Sequence, residues 1–165
     1  MSYFIAGLPR SRTAWLSVFM SQSDTYCYHD GCNGCNDLDE YWNKIEGFGD
    51  SSTGLVLIDI NKLRTHCPIV IIDKNEAELE RCIEFCSEIS GQDSSKYITD
   101  LNEKLKKIAG LHIKQSEINS NLKRIWEHLV DDKWQERHTN MINFNIQTID
   151  LSIDESAAIN LMRNL

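Results

Sequence analysis

Hydrophobic and polar positions along this chain switch repeatedly between a strand-like and a helix-like period. Near the start, the segment Ser2 to Leu8 is rich in β-formers and stops at Gly7-Leu8-Pro9, which predicts a strand running into a tight loop. From about Arg12 to Ser21 the apolar positions Trp15, Leu16, Phe19 and Met20 fall at helical spacing. Thr25 to Asp30 predicts a second short strand, followed by the glycine- and cysteine-rich loop Gly31-Cys32-Asn33-Gly34-Cys35-Asn36. Asp37, with Glu40 three residues on, predicts a capped helix carrying Leu38, Tyr41, Trp42 and Ile45. Gly47 to Gly54 reads as a second loop of small and polar residues.

The stretch 55–63 is open between a buried strand and a short apolar helix face. Pro68 to Asp73 is the clearest buried strand, a continuous β-branched run. A helix over 76–89 then carries Leu79, Cys82, Ile83 and Cys86 on one stripe with Phe85 at its edge. A break at 91–95 separates it from a helix predicted from about Lys96 to Ala109. Residues 111–118 read as a strand or an extended turn. Helices are predicted over 121–130 and 134–142, and a capped one from near Ser152 or Asp154. Trp126, Trp134 and Phe144 are expected in the core, as is the Cys82/Cys86 pair. Strands alternating with helices predict one α/β domain over residues 1–165, with a mainly parallel central sheet flanked by helices in three layers. Such sheets take ligands at the carboxyl ends of their strands. The loop after the first strand, the Cys/His segment and the end of the Pro68–Asp73 strand all belong to that edge.

Composition changes this picture little. The 165 residues fit a single core, with 41% hydrophobic and 25% charged positions. A formal net charge of −8 argues against a general nucleic-acid binder, which needs a basic face, but leaves room for a local basic pocket. No run approaches the ~18 apolar residues of a membrane span, and Tyr3 to Leu8 is too short for a signal peptide. The expectation is a cytoplasmic protein with its six cysteines reduced, and with neither nucleic acid nor membrane as partner.

The sharpest chemical signal is the segment Gly7 to Leu16. A strand, loop and helix in that order aim free backbone N–H groups and a positive helix end at an anion. Arg10 and Arg12 add planar donor forks suited to phosphate or sulfate, and Ser11 and Thr13 add hydroxyls. The Gly-Lys-Ser/Thr ending of a Walker A loop is missing, which ranks a kinase-like phosphotransferase third.

Pro9-Arg10-Ser11-Arg12-Thr13-Ala14-Trp15 resembles the 5′-phosphosulfate loop of the sulfotransferase-like P-loop family, in particular a bacterial and phage-type subgroup of small members. The resemblance implies a three-layer P-loop-type fold and 3′-phosphoadenosine 5′-phosphosulfate as donor co-substrate. It implies that Arg10, Ser11, Arg12, Thr13 and Ala14 hold the 5′-phosphosulfate, with Arg10 stabilising the transferring group, and that Trp15 stacks on adenine. Arg12 stands where the family carries glycine. The segment 68–82 resembles the strand and helix that hold the cofactor 3′-phosphate. Lys74 and Cys82 occupy the positions of that site's Arg and Ser, so the charge is kept and the hydroxyl is lost. The segment 121–147 is similar to the C-terminal helices of the phage-type subgroup, and the late Arg-Lys-Gly segment of the cytosolic enzymes has no counterpart.

Cys27, His29, Cys32 and Cys35 crowd one short segment and allow two readings. Thiolates and imidazole are zinc ligands, and Cys-x2-Cys is a half-site, which Cys67 or His66 can complete. Alternatively His29 is a general base that deprotonates an acceptor, oriented by Asp30, as the subgroup resemblance implies. Asp50, Ser51 and Ser52, between flexible glycines, read equally as a second ligand loop or a bland turn. The expected function is sulfuryl transfer to a small hydroxyl or amine acceptor, with Arg10 and His29 as catalytic residues and no metal required. The alternative is a non-catalytic binder of a nucleotide or phosphorylated ligand on the same fold, acting in a host cytoplasm if phage-encoded. An acceptor pocket shared with a second copy in a homo-oligomer is also open.

Overall fold

The computed structural model describes residues 1–21, 25–58, 67–130 and 134. The helices expected over 134–142 and beyond Ser152, the core position of Phe144, and His66 lie outside the described residues.

Five strands form one sheet in the order β2-β3-β1-β4-β5, every neighbouring pair parallel. They are β1 (Tyr3–Gly7), β2 (Cys27–His29), β3 (Gly49–Ser52), β4 (Ile69–Asp73) and β5 (Leu111–Lys114). The helices are α1 (Thr13–Met20), α2 (Leu38–Lys44), α3 (Glu76–Ser90), α4 (Ser95–Leu105) and α5 (Ile118–Leu129), with short 3-10 turns at Gly54–Leu57 and Gln115–Glu117. The chain is thus α/β in three layers, as the alternation of periods predicts.

The side chains of β1 and β4 point alternately to two cores. On one face Tyr3, Ile5, Val70 and Ile72 meet Trp15, Leu16 and Phe19 of α1 and Ile118, Leu122, Ile125 and Trp126 of α5. On the other, Phe4, Ala6 and Ile71 meet Tyr41 of α2, Cys82 of α3 and Ile98, Leu101 and Leu105 of α4. Burial on both faces is why these strands read as unbroken apolar runs. Each of the larger aliphatic and aromatic side chains so enclosed contributes about 1.5–3 kcal/mol.

Three elements differ from the sequence reading. Residues 49–52, expected in a loop, form the buried interior strand β3. The sequence hides it because its inward groups are polar: Asp50 accepts from Tyr41 Oη at 2.7 Å and from the Gly31 N–H at 3.0 Å, and Ser51 Oγ donates to the Thr13 carbonyl at 2.8 Å. Gly49 is obligatory there, since the Tyr3 ring occupies the place of any β-carbon. The ambiguous segment begins as the 3-10 turn Gly54–Leu57, and its remainder lies outside the described residues. Residues 111–114 resolve to a strand, and α4 ends at Leu105 rather than near Ala109.

The topology fixes where a ligand fits. The connection leaving β1 passes through α1 to β2 on one side of the sheet, while that leaving β4 passes through α3 and α4 to β5 on the other. The carboxyl ends of β1 and β4 therefore diverge into a crevice at a topological switch point.

Candidate functional site

The crevice is organised by the loop between β1 and α1. Ser11 N–H donates to the Leu8 carbonyl at 3.2 Å, closing a tight turn. Arg10 and Arg12 both adopt left-handed backbone conformations, at φ 66° and 60°. For a residue with a β-carbon each costs about 1–2 kcal/mol, and such strain gathers at ligand sites. Left-handed residues interspersed in a turn gather successive N–H groups into a concavity for an anion. Arg12 is also the N-cap of α1, and its side chain makes no capping bond; nor does the first turn contain an acidic residue. The first N–H groups of α1 and its positive end thus face the same point. Glycine is the residue that takes this conformation without strain, and Arg12 takes it with a side chain.

Ser11 and Gly7 define the floor. Ser11 is fully buried, and its hydroxyl has no hydrogen-bond partner among the described residues. A β-carbon on Gly7 would lie 2.8 Å from Ser11 Cβ and 3.2 Å from its Oγ, so the close approach of loop to strand needs glycine. A buried hydroxyl without a partner costs free energy, and one placed in a ring of anion donors is a group waiting for an acceptor.

On one side of the loop lies a cleft of about 380 Å³ lined by Arg10, Lys74, Glu78, Arg81, Phe85 and Gln115, with Glu84 and Glu88 further along α3. The Arg10 guanidinium rests over the Phe85 ring, 5.2 Å from its centroid. Lys74, immediately after β4, is buried and donates to Gln115 Oε1 at 2.6 Å. Burial pushes its pKa down, with nearby Arg81 and Arg10 adding to the effect while Cys82 and Glu78 oppose it. Glu78 is occupied in a capping box with Asn75, accepting its N–H at 2.9 Å.

On the other side lie the ends of β2 and β3. His29 Nε2 is 3.4 Å from Thr13 Oγ1 and 3.6 Å from Asp30 Oδ2. Asp30, itself left-handed at φ 52°, is fixed through its other oxygen, which accepts from Ser52 Oγ at 2.9 Å and from the Thr53 N–H at 3.0 Å. Behind them sits the fully buried Asp50, whose pKa is raised by burial against the opposing pull of its bonds from Tyr41 and Gly31.

The sequence candidates therefore divide. Arg10, Ser11, Arg12, Thr13, Ala14, His29 and Lys74 meet around the loop. Trp15 lies in the core, stacked on Phe19 at 5.4 Å between centroids, with the Arg12 guanidinium 4.4 Å from its own ring centre. Cys82 is buried behind the cleft and does not line it; burial and Cys86 push its thiol up to about 11. Of the residues offered for zinc, Cys27 is in the core and Cys35 Sγ lies 3.6 Å from the Gly31 carbonyl; among the described residues, which exclude His66, no three His, Cys, Asp or Glu side chains are grouped to hold a metal ion. Gln115, Arg81 and Phe85 are site residues that sequence reasoning missed, because nothing local marks them; only the crossover from β4 to β5 brings them to Arg10.

No protein-family model and no curated protein sequence matches this chain. No helix among the described residues is long and apolar enough to cross a membrane.

Proposed function

We propose that the chain binds a nucleotide bearing phosphate and sulfate groups at the β1–α1 loop, and that it transfers a sulfuryl group to a small hydroxyl or amine acceptor. The observation that carries this reading is the buried, unpartnered Ser11 hydroxyl inside a loop with two left-handed arginines at a helix N-terminus. Ser11, the open amides of α1 and the Arg10 guanidinium hold the anionic group and take up charge as the transfer proceeds, while the Arg12 guanidinium, donating to Asn119 at 2.7 Å and lying over Trp15, fixes the loop. Lys74 and Arg81 supply cations in the adjoining cleft for a second anionic group of the donor, 3′-phosphoadenosine 5′-phosphosulfate.

His29 acts on the opposite side. Its imidazole takes the acceptor proton while the acceptor oxygen or nitrogen attacks sulfur, and the bond from sulfur to the phosphate oxygen breaks to release adenosine 3′,5′-bisphosphate. Asp30, whose Oδ2 lies 3.6 Å from the ring, positions His29. No step in this scheme draws on a metal ion.

A second reading is binding without chemistry. It is favoured by the charge balance of the cleft, where Glu78, Glu84 and Glu88 offset Arg10, Lys74 and Arg81, and by Lys74 already holding Gln115. Sulfuryl transfer from the labelled donor to a panel of phenol, alcohol and amine acceptors separates the two. Transfer abolished in His29→Ala, with donor affinity kept, supports the enzyme. Donor affinity lost in Arg10→Ala, with no transfer to any acceptor by the wild-type chain, supports the binder.

A further inference from the structure

The Cys/His segment retains chemistry that neither reading uses. Two of the six cysteines, Cys32 and Cys35, flank the tip of the loop after β2. The Cys35 N–H donates to the Cys32 carbonyl at 3.2 Å, which makes Cys32-Asn33-Gly34-Cys35 a β-turn. Gly34 at φ 80° takes the left-handed third position that such a turn demands. A turn of this kind brings its end Cα atoms within about 7 Å, the range a disulfide spans. Both cysteines are half-buried, and Asn33 and Gly34 between them are exposed.

Cys27 is in the core against Tyr3 and Ile5, and Cys67 packs into the opposite core. Cys82 and Cys86 stand one helical turn apart, where Cβ atoms are about 5–6 Å from each other, too far for the ~3.5–4.5 Å of a disulfide.

Cys32 is also wired to the site. Its Sγ rests over Gly54, where a β-carbon would lie 2.9 Å from the sulfur and 3.3 Å from Ser52 Oγ. Ser52 Oγ is the group that donates to Asp30 Oδ1 at 2.9 Å, and it accepts the Gly54 N–H at 2.9 Å. Asp30 neighbours His29 in sequence and contacts it through Oδ2. A chain of contacts thus runs from the Cys32 sulfur through Ser52 and Asp30 to His29.

We propose that Cys32 and Cys35 are a reversible dithiol–disulfide pair that couples the redox state of the surroundings to the His29–Asp30 end of the site. The oxidant is a small-molecule disulfide. One thiol loses its proton and attacks the oxidant, forming a mixed disulfide and releasing one thiolate. The second thiol, deprotonated in turn, attacks the protein sulfur of that mixed disulfide, forming the Cys32–Cys35 bond and releasing the other thiolate. Two electrons pass to the oxidant, and the two cysteine protons end on its two released thiols. Closing the bond draws the Cys32 sulfur away from Gly54 and toward Cys35, so the packing under the Gly54–Ser52–Asp30 hydrogen bonds changes. The proposal is independent of which ligand the loop binds.

The test uses the full chain without ligand. After incubation with oxidised glutathione, intact-mass and peptide mapping are expected to show loss of two hydrogens localised to Cys32–Cys35, restored by dithiothreitol. The His29 ring proton resonances, assigned with His29→Gln, are expected to shift on oxidation and to stay in place in oxidant-treated Cys35→Ser. Alkylation of both thiols after oxidant treatment, a stable glutathione adduct at either one, or a bridge to another cysteine overturns the pair. A disulfide that leaves the His29 resonances unmoved overturns its coupling to the site. The mass measurements need only the wild-type chain, so a poorly folding variant does not spoil them.

Discussion

Gly7→Ala tests the packing of loop on strand on which the anion site depends. Gly7 has no positive φ, so its backbone accepts alanine and only the new methyl matters. That methyl would sit 2.8 Å from Ser11 Cβ and 3.4 Å from Ile72 Cβ, where carbon atoms prefer ~3.5–4.0 Å. Relief requires moving Ser11, which is held by its bond to Leu8 and flanked by two left-handed arginines. Overpacking of this kind costs about 1–3 kcal/mol, so the urea midpoint falls while the m-value is unchanged. In a Ser11→Gly background the clashing atoms are gone, and Gly7→Ala is expected to cost less than ~0.5 kcal/mol, with the difference appearing as a coupling energy in the double-mutant cycle. Tolerance of Gly7→Ala in the wild-type background, or an equal cost in both backgrounds, refutes the described contact.

Other outcomes follow from neighbouring groups. Ser11→Ala removes an unpartnered buried hydroxyl, so it leaves ligand-free stability unchanged or raised by urea unfolding, yet weakens nucleotide binding roughly tenfold. Arg12→Gly is expected to be about 1 kcal/mol more stable than Arg12→Ala, since both lose the contacts to Asn119 and Trp15 but only alanine retains the left-handed cost. Tyr41→Phe leaves the buried Asp50 carboxylate one donor short and costs about 1–3 kcal/mol in the same assay. His112 has Nδ1 on Asp73 at 3.0 Å and Nε2 on the Ile108 carbonyl at 2.9 Å. Burial acts to lower its pKa, but those bonds outweigh it and the net shift is upward from 6.5. The protonated form is therefore favoured by folding: its contribution is full below pH 6.5 and is lost as pH rises through the folded-state pKa. Urea midpoints across that window are expected to fall for the wild type and to fall less for Asp73→Asn.

The alternation of periods made the three layers legible, because β1, β4 and the faces of α1, α3 and α5 are built from apolar residues whose spacing is local information. The strand β3 was not legible, since Gly-Asp-Ser-Ser is turn chemistry in isolation; it is a strand because Tyr41, Gly31, Thr13 and Tyr3, all distant in sequence, satisfy or require it. The loop's arginines and hydroxyls were legible as candidate anion ligands. What the sequence could not carry was which side chains face the anion. Trp15 and Cys82 occupy suggestive positions in the motif, but their helices turn them toward the two cores. Conversely, Gln115 enters the cleft only through the parallel pairing of β4 with β5, and Phe85 only because β1 and β4 pair and set α3 beside the loop. The Cys-x2-Cys spacing was visible as a motif, yet its geometry is that of a turn beside Ser52 and Asp30, not of a closed ligand set.

The most direct test of the central claim is calorimetric titration with adenosine 3′,5′-bisphosphate and its sulfated donor, with ATP as control. The account predicts micromolar binding of the bisphosphate, weakened at least tenfold by Ser11→Ala and abolished by Arg10→Ala. Absence of binding by both ligands, or binding indifferent to Arg10 and Ser11, contradicts it.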